Sequence, residues 1–395
     1  MGEEMHEKKR VPAIRFAGFT EPWEQRELGN FIIEYTEVTT ENNQYPALTS
    51  SRKGIFLQTD YFSGNQIASE DNTGYNIVPY GYFTYRHMSD DEIFYFNINN
   101  IVENGIVSTL YPVFTTNIEL DSKYLQYQLN YGYEFAKFAR LQKQGGSRTY
   151  MYLNKLKKLR ITIPLSIKEQ KSISKVLLEL DRIITLHQRK CDALKKVKKS
   201  LLQKMFPKEG SVVPEIRFAG FTEAWEQRKF GDLYERVTEK NDLTYGIDKS
   251  ITVASMQYKK DGCITNEDYL RTYTICLLGD IVFEGHQSKQ FRFGRFVEND
   301  LGNGIVSHIF MVFRPKTDYD LYFWKYAINN EQLMRKILSH CTKASRMMND
   351  LVIQDFFKES MPVPTINEQQ MIGHFFYKLD QLITLHQREY YMRRH

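Results

Sequence analysis

The chain has 395 residues, enough for two or three domains that each bury their own core. Aromatic residues make up 14% of it, which excludes a disordered polyampholyte, and the net charge of +5 permits a polyanionic partner without requiring one. The four cysteines have no CxxC or metal-ligand spacing, so we expect reduced thiols and no metal. No apolar run approaches the roughly 20 residues of a membrane span and no signal core is present, so a cytoplasmic protein is expected.

The first recognisable segment of the chain occurs twice. Val11–Arg26 reads VPAIRFAGFTEPWEQR, and Val213–Arg228 reads VPEIRFAGFTEAWEQR. A second pair of repeats follows, ELDRIITLHQR at Glu179–Arg189 and KLDQLITLHQR at Lys378–Arg388. Between these anchors the halves share little except a short GIVS at 105–108 and 304–307. A duplication of this period predicts two similar units in one repeated frame, which here carries two different inserts.

Each insert is predicted to contain strands followed by helices. The inserts run from about Glu27 to Ile163 and from about Lys229 to Val363. The strand-like segments are Gly105–Phe114, Thr274–Gly285 and Gly304–Phe313, and the helical ones are Lys123–Gln142 and Leu321–Leu338. The common order predicts that both inserts share an α+β fold despite their different sequences.

A long helix is predicted from about Lys168 to Phe206, spanning about 58 Å at 1.5 Å per residue. We expect it and its shorter second copy to begin at the capping boxes 166–169 and 365–368, where a hydroxyl and a glutamate each satisfy a backbone donor. Nothing in the second copy corresponds to Val197–Pro207, and the apolar end of the first helix (Leu201, Leu202 and Met205) is expected to contact the second insert or a partner.

Apolar residues in both helices recur every four then three positions, the repeat of a coiled-coil seam. The predicted seam is Ile173, Leu177, Leu180, Ile184 and His187 in the first helix, and Ile372, Phe376, Leu379, Ile383 and His386 in the second. Because the two histidines occupy equivalent positions, a role in fixing helix register outweighs a catalytic one.

Catalytic motifs are not found in the sequence. It has neither the Gly-Lys of a Walker A loop nor the Pro-Pro of adenine methyltransferases. Asp300–Gly304 fits the glycine loop of S-adenosylmethionine-binding domains, but strand-like residues follow, so a β-hairpin turn is predicted. Asp121–Lys123 is interpreted as a helix start and not as part of a nuclease site.

Two Ser-Arg pairs precede the capping boxes, Ser147-Arg148 and Ser345-Arg346. An arginine beside a hydroxyl suits a phosphate contact, while a helix cap with a surface arginine is the slightly favoured alternative. The candidate DNA-binding residues are Arg148, Tyr150, Lys155, Arg346, Lys289 and Arg292.

The repeated RFAGFTExWEQR lead-in, the inserts ending in IP or VP, the Glu-Gln pairs at 169–170 and 368–369, and LDxxITLHQR together resemble the DNA-specificity subunits of type I restriction-modification enzymes. The resemblance covers the whole chain. It implies a non-catalytic α+β protein without a cofactor of its own, in which two long antiparallel helices separate two target-recognition domains with pseudo-two-fold symmetry. Each domain would read half of an asymmetric, bipartite site in double-stranded DNA.

The resemblance also implies partners. Modification (methyltransferase) subunits, expected in two copies, would use S-adenosylmethionine, and restriction subunits would use ATP and Mg. The domains predicted on this basis are an N-terminal segment with the first lead-in (1–26), recognition domain 1 (27–165), the central helix (166–207), the second lead-in (208–228), recognition domain 2 (229–364) and a shortened distal helix (365–395). The alternative is a duplicated coiled-coil adaptor that joins two proteins without binding DNA, which does not account for aromatic-rich, basic inserts.

Overall fold

The computed structural model describes residues 11–64, 68–143, 148–259, 267–345 and 348–394. The chain divides into two compact units, unit 1 (Met1–Arg182) and unit 2 (Ile183–His395). Both are α+β, as the sequence predicts. Within the described ranges, no helix is long and apolar enough to span a membrane.

Unit 1 is built around a four-stranded antiparallel sheet. Its strands are β1 (Glu24–Glu27), β2 (Ile32–Tyr35), β3 (Leu48–Ser51), β4 (Gly54–Leu57), β5 (Asn76–Pro79), β6 (Phe83–Thr84), β7 (Met88–Ser89), β8 (Asn97–Ile98), β9 (Asn104–Val107), β10 (Val113–Thr116), β11 (Thr149–Tyr150) and β12 (Arg160–Ile163). Its helices are α1 (Gln58–Tyr61), α2 (Ser122–Tyr131), α3 (Tyr133–Leu141), α4 (Leu153–Leu156) and the start of α5 (Ile167–Lys204). The sheet has the order β2-β10-β6-β8, and β1 pairs with β12, so the first strand joins the last.

Unit 2 repeats this plan. Its strands are β13 (Glu226–Lys229), β14 (Tyr234–Val237), β15 (Ile251–Thr252), β16 (Gln257–Tyr258), β17 (Thr274–Cys276), β18 (Ile281–Glu284), β19 (Arg295–Glu298), β20 (Gly304–Val306), β21 (Met311–Pro315), β22 (Thr342–Ala344), β23 (Asn349–Leu351) and β24 (Ser360–Val363). Its helices after α5 are α6 (Phe230–Leu233), α7 (Leu321–Ala327), α8 (Glu331–Cys341), α9 (Ile353–Lys358) and α10 (Ile366–Arg394). The main sheet has the order β14-β21-β18-β19, and β13 pairs with β24 as β1 does with β12.

The predicted long strands are wrong in extent, because each is two strands joined by a tight turn. Between β9 and β10 the amide of Tyr111 donates to the carbonyl of Ser108, and Phe310 makes the same bond to Ser307 between β20 and β21. Thr274–Gly285 is broken at Gly279, whose φ of +88° favours glycine. A continuous apolar run carries no mark that separates one buried strand from two.

The predicted helices of the inserts are also each divided in two. Gly132 separates α2 from α3, and the Asn330 side chain caps α8 by accepting from the amide of Gln332. The helix start at Asp121 is confirmed, since its carboxylate accepts from the amide of Tyr124. The turn predicted at 300–304 is present and joins β19 to β20, and the Asn299 side chain accepts from the amide of Leu301 inside it. The prediction that it closes a hairpin is wrong, because β19 pairs with β18 and β20 pairs with β17.

Helix α5 lies within two residues of its predicted bounds, and α10 is shorter, with 29 residues against 38. In unit 2 the second part of α5 runs antiparallel to α10. Lys198 Nζ lies 2.6 Å from Asp380 Oδ1, while His187, further back in α5, meets His386, further on in α10. Directly after α5, Met205 is buried in the core of unit 2, and Leu201 and Leu202 of α5 pack against that core, which confirms the expected contact of this end with the second insert.

The repeated lead-ins are attached to the long helices by buried ion pairs, Arg15–Glu169 in unit 1 and Arg217–Glu368 in unit 2. Both guanidinium–carboxylate pairs are bidentate, with N–O distances of 2.6–2.8 Å, and the two carboxylates are at most 1% exposed. The prediction that these glutamates cap the helices is therefore wrong. They satisfy an arginine that lies about 150 residues away in the sequence.

The glutamine that follows each glutamate fastens the same junction. Gln170 accepts from the amide of Asp121 and donates to the carbonyl of Pro164, and Gln369 does the same with Asp320 and Pro364. The Glu-Gln pair thus links the lead-in, the preceding proline segment and the helix cap of the insert.

Candidate nucleic-acid interface

In unit 1, three aromatic rings cluster beside the β7–β11 ladder. The ring centroids of His87 and Tyr152 are 4.9 Å apart, and those of Tyr150 and Tyr152 are 5.9 Å apart with planes 12° from parallel. His87 is buried, whereas Tyr150 and Tyr152 are 37% and 47% exposed. The buried imidazole therefore supports two tyrosine rings that reach solvent, where they can pack on a sugar, a thymine methyl group or an unstacked base.

Basic side chains surround this aromatic cluster. Arg148, just before β11, lies 3.0 Å from Asp90, and Arg52 pairs with Asp91. The hydrogen bond from Arg52 is the main reason why the pKa of the Asp91 carboxyl is held well below its ordinary value. Both arginines are more than half exposed, so these pairs contribute little to stability and a phosphate can replace the carboxylates at small cost.

Two further cations flank the cluster. Arg86 is exposed in the segment that leads into β7. Lys155 is half-buried in α4, and its amide donates to the carbonyl of Tyr152. Of the predicted DNA-binding residues of unit 1, Tyr150 belongs to the aromatic cluster, Arg148 directly precedes β11, and Lys155 is bonded through its backbone to Tyr152.

In unit 2, Lys289 and Arg292 are exposed in the connection between β18 and β19. The guanidinium of Arg292 lies over the ring of Phe293, 5.6 Å from its centroid. The Asn349 side chain donates to the carbonyl of Arg292 and accepts from Gln287, which ties this connection to β23. Arg346, the remaining candidate, lies outside the described residues.

The two units use the same local plan at this place. The amide of Met151 donates to the carbonyl of His87, and the amide of Asn349 donates to the carbonyl of Gly285. Each repeated Ser-Arg pair therefore precedes a strand bonded to an equivalent connection of the main sheet. The pairing of that strand differs, since β11 pairs with β7 whereas β23 pairs with β22. The exposed side chains differ as well, with tyrosines beside arginines in unit 1 and with Lys289 and Arg292 in unit 2.

Sequence reasoning missed Arg52, Arg86, His87 and Tyr152 in unit 1, and the exposed Lys343 in unit 2. The alternation of aromatic and basic residues in Tyr85-Arg86-His87 could have pointed to two of them. No sequence pattern marks Arg52, because it reaches this region only through an ion pair with Asp91, which lies 39 residues further along the chain.

The residues of the predicted helix seam are distributed over both units. Ile173 packs against the core of unit 1, Leu177 is partly buried and Leu180 is 37% exposed. In unit 2 Ile184 is partly buried, and Ile372, Phe376, Leu379 and Ile383 belong to the core. His187 and His386 meet with their Nδ1 atoms 3.0 Å apart, and Glu389 lies beside them.

Comparisons with known proteins agree with this architecture. Residues 21–196 match the family described as the type I restriction modification DNA specificity domain. No curated protein matches the chain. The S subunit of a type I restriction-modification system from M. genitalium is similar in structure, with a TM-score of 0.54 at 12% identity over 94% of this chain and 92% of that one. At this identity the likeness establishes the fold.

Two other solved structures are similar at lower scores. The HsdS subunit from Thermoanaerobacter tengcongensis has a TM-score of 0.47 at 14% identity, covering 94% of each chain. A structure described in terms of complex assembly and conformational transition of the type I R-M system has a TM-score of 0.48 at 13% identity, covering 94% of this chain and 93% of that one.

Proposed function

We propose that this chain, whose residues 21–196 match the type I restriction modification DNA specificity domain, is the specificity subunit of such a complex and reads a bipartite DNA sequence. The match to the first unit is the observation that carries the proposal. The second unit repeats the same sheet order, the same strand pairing and the same buried Arg–Glu pair. It is therefore a second recognition domain with different surface side chains.

In each unit, some side chains would position the DNA duplex and others would read its bases. Exposed arginines such as Arg148 and Arg52 would exchange their carboxylate partners for phosphate oxygens, which fixes the duplex without regard to sequence. Tyr150 and Tyr152 in unit 1, and Lys289 and Arg292 in unit 2, would face the bases. Because these two sets differ in chemistry, the half-sites they read differ, and the combined target is asymmetric.

The chain itself would carry out no reaction. Methyl transfer from S-adenosylmethionine and ATP- and Mg-dependent cleavage would belong to modification and restriction subunits in the cytoplasm. Two modification subunits per chain fit the doubled frame, since each copy of the lead-in and long helix offers the same surface. A coiled-coil adaptor that does not bind DNA is not favoured, because it leaves the specificity-domain match of the first unit unexplained.

Exchange of one insert tests the proposal directly. A host carrying this chain with its modification and restriction partners would have its methylated sequence determined before and after Glu27–Ile163 is replaced by the insert of a relative. One half of the methylated sequence should change and the other should remain. A change in both halves, or no methylation that depends on this chain, would contradict the proposal.

The aromatic cluster can be tested with matched variants. Tyr150→Ala with Tyr152→Ala should weaken binding of the assembled complex to its target more than to unrelated duplex, since the rings face the bases. The control is Tyr133→Ala, which removes a 72% exposed tyrosine from α3 in the same unit. Equal losses for the control and the double variant would remove the cluster from the interface.

A further inference from the structure

The two copies of the LHQR repeat meet in unit 2, where α5 crosses α10. His187 Nδ1 and His386 Nδ1 are 3.0 Å apart. Glu389 Oε2 lies 2.8 Å from the first nitrogen and 3.8 Å from the second. The three side chains are between 14% and 31% exposed, so the group is shielded by the helices but open to water on one side.

These distances are those of a metal-ligand set. Zinc binds imidazole nitrogen at about 2.0–2.1 Å and carboxylate oxygen at about 2.0–2.2 Å, which places tetrahedral ligand atoms about 3.4 Å apart. The three observed separations, 3.0, 2.8 and 3.8 Å, lie on both sides of that value. We propose that His187, His386 and Glu389 bind a divalent transition-metal ion such as Zn²⁺, with water completing the coordination. Two imidazoles and one carboxylate are a ligand set that suits zinc.

The charges at the crossing favour a single cation. Two neutral imidazoles and one carboxylate leave a dipositive ion with a net charge of about +1, and Glu389 is the only carboxylate among the three ligands. In the first copy the position equivalent to Glu389 is Lys190, an exposed residue. The repeated frame therefore brings the histidines together, and a difference between the copies provides the third ligand.

His386 and Glu389 are three residues apart in the second copy, but the third ligand lies in the first copy, so sequence analysis predicted no metal. The histidines are separated by 199 residues and become neighbours only because equivalent positions of two antiparallel helices meet at their crossing. A bound ion would link α5 to α10 and fix their register at that point. A metal ion would hold the helix register more firmly than the contact between the two imidazoles does by itself.

Metal binding can be measured on the full-length chain after treatment with a chelator. Titration calorimetry with Zn²⁺ should give one site per chain, and Co²⁺ should give the visible d–d absorption of a tetrahedral site. His386→Gln and Glu389→Gln should each weaken Zn²⁺ binding by more than about 10-fold, since the loss of a ligand exceeds the loss of its outer support. Zn²⁺ should also raise the Tm of the wild-type chain and not that of either variant.

Two controls separate this site from adventitious binding. His340→Gln removes a histidine that lies 3.2 Å from Glu359 in an exposed two-residue pair, and it should leave Zn²⁺ affinity unchanged. Cys191→Ser tests the buried thiol one helical turn from His187 and should also have no effect. Circular dichroism and the metal-free Tm establish that each variant is folded.

Equal Zn²⁺ affinity in the wild type and in folded Glu389→Gln would overturn the proposal. So would a Co²⁺ complex that shows only the weak d–d bands of the hydrated, six-coordinate ion, or loss of binding in Cys191→Ser alone. None of these measurements involves DNA, so their failure would leave the proposed recognition function untouched.

Discussion

Removal of the Arg217 guanidinium should destabilise unit 2 strongly, because it leaves a buried carboxylate without its partner. Glu368 is 0% exposed and Arg217 is 12% exposed, with N–O distances of 2.6 and 2.8 Å. Breaking a buried pair by removing one member costs about 3–5 kcal/mol. Since the arginine retains some contact with water, we expect Arg217→Ala to cost about 3 kcal/mol, at the lower end of that range.

Thermal unfolding of the full-length chain measures this effect. For a unit of this size each kcal/mol lowers Tm by about 2–4 °C, so the variant should melt roughly 6–12 °C lower. The double variant Arg217→Met/Glu368→Met should recover part of the loss, because it replaces both charges and leaves neither one buried alone. Arg15→Ala should have a similar effect on unit 1, where Glu169 is 1% exposed.

The matched control is Arg26→Ala, which removes an arginine from an exposed pair with Glu24 at 3.4 Å. Such pairs contribute at most about 1 kcal/mol, so Tm should change little. A Tm shift for Arg217→Ala no larger than that of Arg26→Ala would refute the argument that the repeated lead-in is anchored by this pair.

Three other changes have defined outcomes. Arg148→Ala should flatten the slope of log DNA affinity against log salt concentration by about one unit. Asp90→Asn should strengthen binding to all duplexes, because Asp90 forms an ion pair with the Arg148 guanidinium in the free protein. Unchanged DNA affinity with a lower Tm for Arg148→Ala would favour a structural role for Arg148. Burial raises the pKa of the Glu298 carboxyl well above its ordinary value, and neither of its oxygens has a hydrogen-bond partner among the described residues. The native state therefore holds the Glu298 proton more tightly than the unfolded state does. The stability that this proton contributes is present below the unfolded pKa and is lost as pH rises through the folded pKa. Glu298→Gln should thus raise Tm at pH 8 more than at pH 5, and an equal change at both pH values would refute this prediction. Insertion of four residues after Gln188 adds about 6 Å of helix and should widen the gap between two unchanged half-sites in the methylated sequence, whereas an altered half-site with an unaltered gap would contradict a spacing role for α5.

The sequence by itself determined the duplication, the α+β class, the two long helices and the family resemblance. Each depends on a pattern that lies along the chain: near-identical repeats, periodic apolar residues, and helix-start residues such as Asp121. Their physical causes are local, since helix periodicity and capping act over a few residues. The bounds of α5 could therefore be predicted within two residues.

The tertiary structure decided what the repeated segments do, because the role of each depends on contacts with residues far away in the chain. Glu169 and Glu368 fit a capping box in sequence, yet each binds an arginine of its lead-in, because the guanidinium gives the buried carboxylate two parallel charge-assisted hydrogen bonds. The apolar runs hid tight turns, because one long buried strand and two short buried strands joined by a turn have the same composition. His187 became a neighbour of His386 and Glu389, and Arg52 became the partner of Asp91, only when folding brought together side chains that lie far apart in the chain.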